Sequence, residues 1–167
     1  TGLQPTYYYY MERYFRQNMA LKEAYLIGGE VIGESDPIID AQNIYMIYTG
    51  LKKIGLAGDI TIRINSYGNS KEMEKYKQEL AAFFENKKAS MSPEIQGAFE
   101  KNMFSIFASR HEDDQILARS APSIIGFLKK DSKKYYDDMK MYLDDLGVPY
   151  TQDHTLFFGE GYYSHMI

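Results

Sequence analysis

The chain has 167 residues, a net charge of −4, no cysteine and no tryptophan. That length suits one domain with its own hydrophobic core and room for a small subdomain. The missing thiols exclude disulfides and thiolate metal sites and fit an intracellular protein. The acidic balance argues against tight non-specific nucleic-acid binding, leaving only a local basic patch.

No apolar run approaches the ~20 residues of a membrane span, and residues 1–20 lack a signal-peptide pattern. The opening Thr1-Gly2 carries no initiator methionine, so the chain reads as a piece of a longer one. Residues 6–15, "TYYYYMERYF", favour a strand on propensity. After a polar stretch, "AYLIGGEVIGE" resumes with β-type residues and glycines. The two predict an antiparallel hairpin with a long charged tip.

The next segment, "ESDPIIDAQNIYMIYTGLKKIGL", predicts a helix. Asp36 suits the N-cap, Pro37 the first turn and Gly55 the stop. Ile38, Ala41, Tyr45 and Tyr48 recur at helical spacing. "DITIRINS" alternates at Ile60, Ile62 and Ile64, the pattern of a half-buried strand. Gly68 marks a turn, and Asn69 with Glu72 predicts a capping box before a helix to about Asn86.

From there to Leu146 the chain reads as short helical pieces, punctuated at Ser92-Pro93 and Ala121-Pro122. The last piece places Met139, Tyr142, Leu143 and Leu146 on one face and ends at Gly147. "VPYTQD" and "TLFF" return to strand. The expected fold is α+β with a mainly antiparallel sheet. Residues 1–69 and 147–167 form the sheet core, and residues 70–146 form a helical insertion subdomain.

Few residues carry chemistry on their own. His111, His154 and His165 are far apart without acidic partners at ligand spacing, so a metal site is not expected. Glu30 interrupts an apolar strand. It sits either on an exposed strand face or against a polar cavity. Arg13 and Arg16 could bind an anion bidentately or pair with Glu12 and Glu23 across the hairpin. Lysines 129, 130, 133 and 134 open a helix as a basic cluster, most simply a solvated face.

In this order the pieces resemble the catalytic core of class II histidyl-tRNA synthetases. The most specific stretch is "IGGEVIGESDPIIDAQNIYMIYTGLKKIGL" followed by "ITIRINSYGN". "KNMFSIFASR" and "ARSAPSI" are similar to segments of that family's helical insertion. "LGVPYTQDHTLFFGEGYY" is similar to its histidine-binding motif. The resemblance covers nearly the whole chain. It implies that Tyr162 and Tyr163 line an imidazole pocket and that Glu30 hydrogen-bonds the ring. Aromatic walls exclude water and a carboxylate reads ring N–H donors. With a one-residue gap, the resemblance also implies that Arg13 and Arg16 contact ATP, with Mg2+ as its companion ion.

The departures cut against activity. The motif's electrostatic arginine falls at Phe158, its aspartate at Gly161, an ATP-binding glutamate at Phe15 and an amino-acid-contacting glutamine at Leu26. One lost preorganised donor typically lowers a rate about 10²–10³-fold. The family's first motif, which forms its homodimer, its third motif and its anticodon-binding domain find no match here.

Two readings follow. One is a synthetase core fragment whose family activates histidine with ATP and passes it to tRNA in the cytoplasm, the isolated chain being inactive. The other is a non-catalytic paralogue, like the regulatory subunit of ATP phosphoribosyltransferase or the synthetase-like domain of a stress kinase. The helical insertion favours synthetase ancestry.

Overall fold

The computed structural model describes residues 4–15, 23–56, 58, 60–157 and 165–167. β1 (Thr6–Phe15) and β2 (Glu23–Ile32) form the antiparallel hairpin. Tyr8 opposes Glu30, Tyr10 opposes Gly28 and Glu12 opposes Leu26, so these side chains share one face. Tyr7, Tyr9, Arg13 and their partners Val31, Gly29 and Tyr25 take the other. Gly28 lets the Tyr10 ring cross the bare backbone: a Cβ there would stand 2.2 Å from Tyr10 Cζ, and the ring would have to swing aside.

α1 (Pro37–Lys53) starts as its sequence directs, with the Asp36 carboxylate accepting from the Ile38 N–H at 2.9 Å. Gly55, just past the C-cap, takes φ +89. Its expected stripe is buried only in part. Ala41 is fully enclosed and Tyr48 half-buried, whereas Ile38 and Tyr45 are exposed.

β3 (Arg63–Ile64) runs parallel to β5 (Thr151–Gln152), and β4 (Ser66–Gly68) runs antiparallel to β6 (His165–Met166). Alternation before β4 holds: Ile60 and Ile62 are half-buried, Ile64 buried, Thr61 and Arg63 exposed. α2 (Ser70–Glu85) opens with the expected capping box. Asn69 Oδ1 accepts from the N–H groups of Lys71 and Glu72, and Glu72 Oε2 accepts from the Asn69 N–H. α3 (Pro93–Phe99), α4 (Glu112–Ser120) and three 3-10 turns follow, then α5 (Lys130–Asp145), which stops at Gly147 with φ +65.

Two cores result. Tyr76, Leu80, Phe84, Ile95, Phe99, Ile106 and Ile124 enclose one within the helical block. Ala41 of α1, Ile64 of β3 and Tyr136, Met139 and Leu143 of α5 build the other. The buried face of α5 thus lies with α1 and the strands, although the sequence groups this helix with the insertion. Ile125 and Leu128 touch both cores and mark the seam. The architecture is α+β, with two of the three strand pairings antiparallel among the described residues.

Glu72 joins the two cores. Its Oε1 accepts from the Lys129 N–H at 2.7 Å, across the seam from the bond to Asn69. Burial alone would raise this carboxyl's pKa. The Asn69 and Lys129 N–H groups and the Ser132 hydroxyl outweigh burial and hold it below the usual range.

Candidate functional site

Glu30 stands on the hairpin face that also carries Tyr8, Tyr10 and Leu26. Its residue is exposed, and among the described residues no hydrogen bond or ion pair engages it. Glu30 is thus exposed on a strand face and also borders a cavity beneath the hairpin. A cavity of about 780 Å³ lies between the hairpin and α1, walled by Tyr7, Tyr9, Ile27, Gly29, Met46 and Ile47. Met46 reaches Gly29 from α1, where a Cβ would lie 3.2 Å from Met46 Cε. Tyr8 and Glu30, from the other strand face, also border this cavity.

Arg13 and Glu30 lie on adjacent antiparallel strands, as the sequence leads one to expect, but on opposite faces. The reason is the two-residue period of a strand. A one-residue gap in matching "ERYFR" moves every side chain to the other face. At that end, Glu12 shares the Glu30 face. Arg13 Nη1 instead meets Glu23 Oε1 at 3.1 Å in an exposed ion pair, worth well under about 1 kcal/mol. Phe15, on the Arg13 face, is 73% exposed. Arg16, Phe158, Gly161, Tyr162 and Tyr163 fall outside the described residues.

The chain on either side of residues 158–164 is tightly held. Ahead of it, Phe157 stacks on Phe104 and Phe107, with ring centroids 4.7 and 5.2 Å away. Behind it, His165 stacks on Tyr135 at 4.9 Å, and the Tyr135 hydroxyl donates to Asp40 Oδ2 at 2.9 Å. His165 adopts φ +69, a left-handed conformation rare for a side chain with a Cβ. Burial raises the Asp40 pKa, and the Tyr135 hydroxyl and the His165 charge only partly offset it.

The sequence gives no hint of this cluster, because Asp40, Tyr135 and His165 are remote in the chain. The packing of α5 between α1 and β6 brings His165 close enough to Asp40 for its charge to act on that carboxyl, through Tyr135 rather than by a direct hydrogen bond. Asn65 and Ser66, both 1% exposed, are likewise missed; they bond to the chain at Leu156 and at His165 and Ile167. Their sequence signals are polarity at the end of an apolar strand and their place in "ITIRINSYGN", neither of which tells what they bond to.

The other candidates are plain. Lys133 and Lys134 pair with Asp137 and Asp138 one turn on, so that cluster is an ion-paired helix face. His111 Nδ1 lies 3.8 Å from Asp113 Oδ2, both exposed. Among the described residues no three His, Cys, Asp or Glu side chains gather to hold a metal. None of the described helices is long and apolar enough to cross a membrane.

Comparison with known proteins agrees with this architecture. The structure of apo S. aureus histidyl-tRNA synthetase superposes with a TM-score of 0.68 at 32% identity, covering 98% of this chain and 38% of that one. The fold is thus that of a class II aminoacyl-tRNA synthetase core. Histidine–tRNA ligases of Streptococcus pneumoniae strains 70585 and Hungary19A-6 are each 32% identical over 168 aligned residues, 98% of this chain.

The chain is thus similar to histidyl-tRNA synthetases over almost all of its own length and spans 39% of the length of these relatives. No family model matches it. That the relatives and the structural neighbour are synthetases favours a synthetase segment over the regulatory paralogue.

Proposed function

We propose that this chain is the part of a cytoplasmic histidyl-tRNA synthetase that recognises the histidine side chain, and that by itself it does not activate histidine. Glu30 carries the reading. An unpaired carboxylate on a tyrosine-lined strand face is suited to an imidazole N–H, and Tyr162 and Tyr163 are proposed to complete its walls. In the whole synthetase the substrates would be histidine, ATP with Mg2+, and tRNA, with a second subunit as partner. Arg13 and Arg16 are proposed for the ATP phosphates. The register of β1 gives Arg13 that role only if the phosphates are approached from the hairpin's other face or edge.

Phe158 puts an apolar ring where the resemblance implies a cation beside the reacting carboxylate and α-phosphate. Phe15 and Leu26 remove further polar contacts. Binding should therefore outlive catalysis. In calorimetry, L-histidine should bind weakly to the unmodified chain, and Glu30→Gln should weaken it about tenfold, the loss of one charged hydrogen bond. Unchanged affinity in that variant would overturn the role of Glu30. Histidine-dependent ATP–pyrophosphate exchange should be undetectable, and Phe158→Arg alone should not restore it. Robust exchange by the unmodified chain would refute this account of the substitutions.

A further inference from the structure

We propose that Asn65 is a positioning residue that pins the chain on both sides of residues 158–164. On the near side its Nδ2 donates to the Leu156 carbonyl at 3.1 Å. On the far side its backbone N–H donates to the Ile167 carbonyl at 3.0 Å, and the Ile167 N–H donates back to its carbonyl at 3.2 Å. Ser66 reinforces the far side. Its hydroxyl donates to the His165 carbonyl at 2.6 Å and accepts from the Gly68 N–H at 3.0 Å.

These contacts are shielded from water, because Asn65 and Ser66 are each 1% exposed. A carbonyl acceptor at Leu156 demands a donor, which asparagine supplies and neither leucine nor an ionised aspartate can. One residue thereby fixes two chain positions that sequence separates, and it sets the distance between them. The neighbours strengthen the arrangement. Phe157 is locked into the aromatic cluster of the helical block, and the left-handed backbone of His165 is held by the stack on Tyr135. The consequence for ligand binding rests on the reading above, in which Tyr162 and Tyr163 serve the imidazole.

Asn65→Asp keeps the shape and removes the donor at neutral pH. Amide exchange at Leu156 and at Ile167 should both accelerate about tenfold, beyond any change seen in α2. As pH falls through the titration of the introduced buried carboxyl, its O–H can donate to Leu156, and both sites should regain protection relative to the unmodified chain. Leu80→Ala in the helical block serves as control, since it lowers stability while leaving the hydrogen bonds of Asn65 and Ser66 in place.

L-histidine affinity should fall about tenfold in Asn65→Asp, recover on acidification as a ratio to the unmodified chain, and stay unchanged in Leu80→Ala. Loosening of one flank alone, or identical behaviour of the two variants, would overturn the proposal. If Glu30→Gln leaves histidine affinity intact, or no histidine binding is measured, the imidazole reading fails. The paired exchange result still decides whether Asn65 pins both flanks.

Discussion

The helical block and the hairpin with α1 spend similar apolar side chains in opposite ways. In the block, Tyr76, Leu80 and Phe84 are completely enclosed, with Phe84 and Phe99 rings packed edge to face at 5.5 Å. In the hairpin, Tyr9 is 92% and Ile27 76% exposed, and Met46 and Ile47 of α1, with Ile54 at its C-cap, add to the uncovered surface. A two-stranded hairpin is marginal alone, and contiguous exposed apolar surface of this kind is a feature of interaction sites. The block therefore supplies stability and the hairpin supplies surface. Glu30 belongs to the second.

The largest test of this contrast is a pair of truncations. Phe84→Ala should destabilise by about 3–5 kcal/mol, through lost burial and the cavity left behind. Tyr9→Ser should stay within about 0.5 kcal/mol, since its ring is already in water. Urea unfolding of both variants measures the difference. Equal losses would mean that the hairpin is covered in solution and that the contrast is wrong.

A second test uses charge inside the closed region. Asp114 is fully buried and accepts from the Ser92 N–H and from the Ser92 and Ser109 hydroxyls at 2.8, 2.6 and 2.7 Å. Burial pushes its pKa up, but those donors outweigh it and the carboxyl titrates below its ordinary 3.8. A lowered folded pKa means stability that is present above pH 3.8 and lost as pH falls through the folded value. Asp114→Ala should cost about 1–3 kcal/mol at pH 7 by orphaning those donors. The difference from the unmodified chain should shrink below that pH. A loss that does not change with pH would show that the carboxylate charge is irrelevant to the clamp.

Local signals were legible because they need only neighbouring residues. Asp36, Asn69 with Glu72, and Gly147 act within one helical turn, and each cap forms where the spacing places it. Which core α5 joins depends on partners nearly a hundred residues away. Its apolar stripe was readable, and its alliance with Ala41 and Ile64 was not. The site was legible as residue types in order, with Glu30 in an apolar strand as the clearest sign. The face on which Arg13 lies was not legible, because face depends on register and a single gap reverses it. Asn65, Ser66 and the Asp40–Tyr135–His165 cluster gain meaning only from tertiary closeness.

A smaller perturbation probes the hairpin from within. Gly28→Ala would place a methyl in the path of the Tyr10 ring, 2.2 Å from its Cζ. The ring is the far end of a flexible side chain and can swing into solvent. The expected loss is about 1 kcal/mol or less, confined to faster amide exchange along β1 and β2, with α2 unaffected. Spread of the effect into the helical block would show that the two regions unfold as one unit.

The smallest effect has the opposite sign and tests where the two uses of surface meet. Asp40 begins on α1, in the open region, yet its carboxyl is drawn under Tyr135 of α5. Burial raises its pKa above the ordinary 3.8, with the Tyr135 hydroxyl and His165 pulling only partly back. A raised folded pKa means a contribution fully present below pH 3.8 and lost as pH rises through the folded value. At pH 7 the ionised group is thus a net liability. Asp40→Asn keeps an oxygen to accept from Tyr135 and removes the charge. It should stabilise the chain by about 0.5 kcal/mol at pH 7, and the gain should vanish once the native carboxyl is protonated. Denaturant midpoints of the two proteins at pH 7 and pH 3.5 give the comparison. A destabilised variant at pH 7 would mean that attraction between Asp40 and His165 outweighs the desolvation of the carboxylate, reversing the order of causes argued for this contact.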